Sequence, residues 1–240
     1  MAGHTVKSYD RELDTIERLI AEMGGVAEKM VVDAVDALAG ANKGLAQQVV
    51  AADLRLDGLQ RETEDLAVLT IARRQPMAVD LRELIGAIRV AGDLERVGDL
   101  AKNIAKRAIK ISAESRIPRA ILGLRHMNEV ATELLKDALD AYAQRDVERA
   151  RAAWERDIDL DTLEDSVFRD LLTHMMEDPR NISLCAHLLF CSKNIERIGD
   201  HATNIAETVV YLVTGEAMPS ERPRGRRVTD VDHDVAEART

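Results

Sequence analysis

Aromatic side chains are nearly missing from this chain: one Trp, two Phe and three Tyr among 240 residues. Sheets that close into sandwiches or barrels draw on aromatic and β-branched residues, so this scarcity argues against an all-β fold. Cysteine is equally scarce. Cys185 and Cys191 stand six residues apart in one helical pattern, which suits neither a disulfide framework nor close-set zinc ligands and reads as two buried thiols in a reducing compartment. No apolar run approaches the ~18 residues of a membrane span. The first 25 residues lack a basic segment followed by an apolar block, so a soluble cytoplasmic chain without membrane insertion is expected. Basic residues are outnumbered, 33 against 43 acidic, for a net charge of −10. Such a surface repels phosphate backbones on average, and nucleic acid is not an expected partner. Catalytic signatures are mostly absent too, with no Gly-rich loop ending in Lys-Ser or Lys-Thr, no His-Glu-x-x-His and no Glu three residues before a His.

What the chain does contain is 46% hydrophobic and 32% charged residues, the composition of long helices with an aliphatic stripe and a solvated face. Apolar residues step by three and four from Tyr9 through Leu13, Ile16, Ile20, Met23, Ala27 and Met30 to Ala34, before Gly40, Asn42 and Gly44 interrupt. A second stripe runs from Leu45 through Leu56 and Leu59 to Leu66 and fades at Arg73 to Pro76. A third runs from Val90 through Leu94, Val97 and Ile104 to Ile111. The order then begins again, with helices predicted from about Arg119 to Tyr142, Asp146 to Met176 and Ser183 to Val213. The expected fold is all-α, two tandem three-helix bundles related by an internal pseudo-twofold repeat. The first covers residues 1–114 and the second 115–215, and 216–240 read as a disordered tail.

The recurrence extends to residue identity. Asp93 to Arg107 reads DLERVGDLAKNIAKR and Asn194 to Thr208 reads NIERIGDHATNIAET, with eight of fifteen positions identical and no gap. Weaker echoes join Asp33 and Asp36 to Asp137 and Asp140, and Asp53 and Asp57 to Asp157 and Asp161. At 100° per residue, Glu95 and Asp99 fall about 160° to either side of Val97, opposite the stripe. They are therefore expected to face away from their own unit's core and to be available for docking. Carboxylates four apart repel unless a cation answers them, and Asn103 extends the row; Glu196, Asp200 and Asn204 repeat it. Such hard oxygen donors suit magnesium, manganese, calcium or iron, and Asp53, Asp57, Asp157 and Asp161 could complete the coordination. The plainer alternative is a solvated acidic face, but unrelated solvent positions have no reason to match twice in identity and register. Arg96 and Arg197 read as helix ion pairs or anion contacts. Gly98 and Gly199 mark places where something approaches the helix closely. His201 adjoins Asp200, but the other copy has Leu100 there.

The string Glu-Arg-[Val/Ile]-Gly-Asp-x-Ala-x-Asn-Ile-Ala, present twice, resembles the PhoU family of phosphate-uptake regulators over about residues 5–214. The resemblance implies metal sites on the acidic motifs, with Glu95, Asp99, Asn103, Glu196, Asp200 and Asn204 as motif residues and Asp53, Asp57, Asp157 and Asp161 beside them. The metals expected are divalent or trivalent ions such as Mg, Mn, Fe or Zn. It also implies a non-enzymatic negative regulator of the phosphate-starvation response, with a phosphate ABC transporter ATPase subunit and a sensor histidine kinase as partners, peripheral association with those membrane complexes, and a homodimer as an option. Two other classes compete with it. One is a metal-dependent phosphohydrolase using the paired carboxylates, and the other is a structural helical module or metal buffer.

Overall fold

The structure is a computed structural model that describes residues 2–111 and 117–219, with side chains from residue 9. Among the described residues there are six long helices and no strand: α1 Ala2–Gly40, α2 Lys43–Arg74, α3 Val79–Lys110, α4 Pro118–Gln144, α5 Val147–Glu177 and α6 Ile182–Thr214. A single 3₁₀ turn, Pro179–Asn181, precedes α6. The two tight helical corners are built alike. Asn42 caps α2 by accepting from the Leu45 N–H, and Asp146, at the equivalent point, caps α5 by accepting from the Arg149 N–H. Each satisfies an amide that the helix itself leaves unpaired. Gly215 ends α6 at φ +79°, a left-handed conformation that favours glycine, and the Arg82 guanidinium lies where a side chain would have projected.

Each half is a three-helix bundle, α1–α3 and α4–α6. The halves join along two antiparallel pairs. In one, α3 and α6 run side by side, with Gly86 receiving the tip of Leu212, Asp93 bonded to His201, and Arg107 meeting His187. In the other, Gly24 of α1 receives Leu139 of α4, and Arg145 pairs with Glu17. α2 and α5 pack chiefly against their own bundle and form the outer layer. One continuous aliphatic core runs through all six helices, with Met23, Met30, Leu94, Ile104, Leu124 and Leu134 essentially without solvent exposure. Tyr142 and Trp154 are the aromatic members of this core, and the Trp154 indole N–H donates to Glu207 at 3.0 Å. Both cysteines are buried free thiols, and desolvation pushes Cys191 up to about 12.

The helices match the sequence periodicity, with shifts at the ends. α1 begins at Ala2 rather than near Tyr9, and α3 begins at Val79, well before the stripe at Val90. The predicted tail boundary is corrected in part. Residues 216–219 are placed, with Met218 against the core, while 220–240 lie outside the described residues. The predicted outward orientation of the motif carboxylates is also corrected. α3 is packed by α1, α2 and α6, and α6 by α3, α4 and α5, so neither central helix has a free back face. Glu196 is 4% exposed and Glu95 is half-buried.

Candidate functional site

The surface opposite the Val97 stripe of α3 is the seam with α2, and there the first acidic group assembles. Asp53 and Asp57 of α2 are close enough to Glu95 and Asp99 of α3 to add their repulsion to the desolvation that already raises the Glu95 carboxyl above the usual range. Arg96 relieves part of this through looser ion pairs, 3.4 Å to Glu95 and 3.5 Å to Asp99. The principal counter-charge is Lys102, one turn beyond Asp99. Its ammonium donates to Asp53 Oδ2 at 2.6 Å and to Asp99 as well. Burial works against that ammonium, but the hydrogen bonds from Asp53 and Asp99 outweigh it and hold its pKa above the ordinary lysine value.

Close helix packing makes this possible. A methyl group on Gly98 would run into Leu56 of α2 while only touching Met30 of α1 at ordinary contact distance. The equivalent glycine, Gly199, receives Leu160 of α5 in the same way. In this half, however, a Cβ would also stand 2.9 Å from Asp157 Oδ1. The missing side chain is what lets the Asp157 carboxylate lie against α6 at Gly199.

The sequence-equivalent residues of the second half are Asp157 and Asp161 of α5 and Glu196 and Asp200 of α6, of which Asp157 lies against α6 at Gly199. Glu196 Oε1 accepts from Lys193 at 2.6 Å. The position that matches Lys102 is Thr203, a buried neutral residue whose hydroxyl donates to the Asp200 carbonyl. Among the described residues no three His, Cys, Asp or Glu side chains gather tightly enough to hold an ion as placed. Ammonium groups answer carboxylates in both halves, Lys102 at Asp53 and Asp99 and Lys193 at Glu196.

The asparagines separate. Asn103 is exposed on α3, whereas Asn204 turns across the seam and donates to Asp93 Oδ1 at 3.2 Å. His201 also meets Asp93 Oδ1, at 2.8 Å, so it serves the joint between halves and is already engaged there. Asp93 and Asn204 border a cleft of about 630 Å³ along the α3–α6 seam, lined also by Arg89, Arg96, Glu207, Tyr211 and Met218. The sequence reading passed over Lys102, Asp93 and Arg89. The signal was nonetheless present, in the positions where the two copies of the repeat differ.

With this arrangement described, comparison with known proteins becomes informative. The model of the PhoU domain matches residues 20–108 and again 124–209, one match per three-helix bundle. The chain belongs to the PhoU family. Among its relatives in the family are the phosphate-specific transport system accessory protein PhoU homolog of Rhizobium meliloti (strain 1021), 55% identical across 92% of this chain and 94% of that protein, and its counterpart from Caulobacter vibrioides (strain NA1000 / CB15N), 48% identical across 93% and 97%. The crystal structure of PhoU from Pseudomonas aeruginosa superposes with a TM-score of 0.84 at 41% identity, covering 87% of this chain and all of the other. The phosphate transport system regulatory protein PhoU from Streptococcus pneumoniae gives 0.81 at 26% identity, covering 88% and 99%. PhoU membership accounts for the repeated bundles and for the paired motifs on the central helices.

Proposed function

We propose that this protein is a negative regulator of phosphate uptake and of the phosphate-starvation response. In this reading it is a metal-binding adaptor between a phosphate ABC transporter's ATPase subunit and a sensor histidine kinase. The observation that carries the reading is near-full-length similarity, at 55% identity, to a protein named as an accessory of the phosphate-specific transport system. Relatives named as accessory and regulatory proteins favour an adaptor over a phosphohydrolase.

The architecture supplies what an adaptor needs. Two rigid antiparallel joints fix the halves relative to one another, so a partner bound at one end is held at a set distance from a partner at the other. No described helix is long and apolar enough to cross a membrane, so contact with a transporter would be peripheral. Apolar side chains that the core does not use stand on the outer helix α2 and its following turn, where Leu54, Val68 and Met77 are well exposed. A bound cation would supply charge neutralisation for the Asp157, Asp161, Glu196 and Asp200 group. The chain's part is to present those oxygens from two helices held together at Gly199.

The test is genetic. Deleting the gene is expected to leave phosphate-starvation genes expressed in phosphate-rich medium, and tagged protein from such cells is expected to retain the transporter ATPase and the kinase. Normal repression in a deletion strain with no second copy of the gene would refute the reading.

A further inference from the structure

Helix α2 packs on α1 and α3, and the line that faces away from both alternates in size. Leu54, Arg61 and Val68 recur along it at every seventh residue, with the smaller Ala51, Gly58, Asp65 and Ala72 between them. All seven are exposed, Leu54 to 73% and Val68 to 59%, although aliphatic side chains gain by leaving water. Gly58 costs the middle of a helix stability. A Cβ there would meet nothing within 4 Å, so packing inside the chain does not call for this glycine as it does for Gly98. The outer helix of the other half is different, with Glu155, Asp159, Thr162, Ser166 and Arg169 along its exposed line. We infer that α2 is the contact between two copies of this chain, which pack antiparallel about a twofold axis beside position 63.

A seven-residue recurrence suits two helices packed lengthwise. In register and parallel, identical helices would set Leu54 on Leu54, Arg61 on Arg61 and Asp65 on Asp65, which leaves gaps at the small residues and repulsion at the charged ones. The antiparallel pair sets each large side chain against a small one, the arrangement that fills a contact without voids. Val68 of each copy enters the notch at the other's Gly58, and Leu54 lies on the other's Ala72. A twofold contact repeats every pairing, so Arg61 of each copy faces Asp65 of the other. Both charges lack a closer answer: among the described residues neither has an ion pair, and Arg61 donates its Nε–H to the Asp57 carbonyl of its own helix. Glu62 and Glu64 flank the same centre in both copies. Their excess negative charge makes the association reversible rather than permanent.

The inference does not rest on the adaptor reading, and its test needs only the full-length chain. Sedimentation velocity over a dilution series is expected to show a wild-type dimer that dissociates as it is diluted. Arg61→Asp sets Asp against Asp across the axis and Asp65→Arg sets Arg against Arg, so each variant alone is expected to raise the dissociation constant roughly tenfold or more. Mixed in equal amounts, the two variants answer one another's charges and are expected to dimerise together. Gly58→Leu has open space in its own chain, so it is expected to keep its helicity and melting midpoint in the monomer and to lose the dimer. Orientation is read from a chain carrying Leu54→Cys and Ala72→Cys. Both native cysteines are buried, and oxidation is expected to link position 54 of one copy to position 72 of the other. A wild type that stays monomeric throughout would overturn the inference and leave the face to a different protein. So would a dimer that Arg61→Asp and Gly58→Leu leave unchanged, a mixture of the two charge variants that fails to associate, or a disulfide joining position 54 to position 54.

Discussion

The two bundles share a scaffold and differ in charge. Leu56 and Leu160 fill the same notch, one against Gly98 and the other against Gly199, and both are essentially without exposure. Asn42 and Asp146 cap the same turn. Yet where α3 offers Lys102, α6 offers Thr203, and where Asp93 lies on one side of the seam its repeat partner is Asn194. At the α4–α5 corner Arg149 and Arg156 bind Asp137, while the matching positions 45 and 52 of α2 are Leu and Ala. Duplication has kept the positions that close-packing constrains, since core volume tolerates little change. Positions on the rim of the core, where an ion pair contributes little net stability, have been free to diverge. The lesson is that sequence identity between the repeats marks the scaffold, and differences between them mark what each half does.

The sharpest test of the shared scaffold is to break both notches. Leu56→Ala and Leu160→Ala are each expected to cost ~2–5 kcal/mol, the range for emptying a buried leucine site, with nearly equal losses in chemical denaturation. A difference of several kcal/mol would mean that only one half carries the fold. Next comes Lys102. Replacing it with Met leaves Asp53, 6% exposed, without its ammonium, and a charged hydrogen bond of this kind is expected to contribute ~1.5–3 kcal/mol. Thr203→Val, at the equivalent place, loses only a hydroxyl bond to its own helix and is expected to cost less than ~1.5 kcal/mol. Urea unfolding of the two variants side by side reads the asymmetry directly.

The glycines sharpen it further. Gly98→Ala and Gly199→Ala both gain about 1 kcal/mol of helix propensity and both force a leucine tip aside, for a net cost of roughly 0–2 kcal/mol. Only Gly199→Ala also displaces Asp157 Oδ1. It is therefore expected to cost more stability than Gly98→Ala when the two variants are compared in urea unfolding.

How much of this was legible beforehand follows from which interactions are local. The helices and their order are written in spacing and turn residues, so the stripe from Tyr9 to Ala34 and the break from Gly40 to Gly44 foretell α1 and the start of α2, although α1 begins earlier, at Ala2. The all-α duplicated fold was legible for the same reason. The orientation of Glu95 and Glu196 was not. A helical wheel places them opposite Val97 and Ile198, but only the tertiary arrangement shows that α2 and α5 cover that side. The tie of Asn204 to Asp93 was not legible because the two lie 111 residues apart. Lys102 was visible in the sequence, but its role depends on Asp53 from a different helix. The direct comparison of positions 102 and 203 would have raised the question without answering it.

The smallest expected difference between the halves lies at the far end of the first bundle and responds to acid. Arg74 at the end of α2 grips Glu12 of α1 with two hydrogen bonds, 2.8 and 3.0 Å, across 62 residues. Those bonds from Arg74 outweigh desolvation and hold the Glu12 carboxyl below its usual range. At the offset that relates α2 to α5, Arg74 corresponds to Asp178, which pairs only with Arg180 two residues on. The first clamp ties two helices together, and the second merely tightens a turn. A carboxyl whose folded pKa is lowered contributes stability that is fully present above its unfolded value, near 4.3. The contribution is lost as pH falls through the lower folded value. Both side chains remain partly solvated, 23% for Arg74 and 18% for Glu12, so the contribution is expected to be no more than ~1 kcal/mol. Glu12→Gln should therefore lower the melting midpoint slightly at pH 7, and its curve should converge on the wild type as pH falls through the lowered Glu12 value. Hydrogen exchange at pH 7 should place the added opening in the amides of α1 and the end of α2, leaving α4 and α5 unchanged. A loss spread evenly over both bundles would mean that the halves unfold as one cooperative unit, through the shared core of α3 and α6.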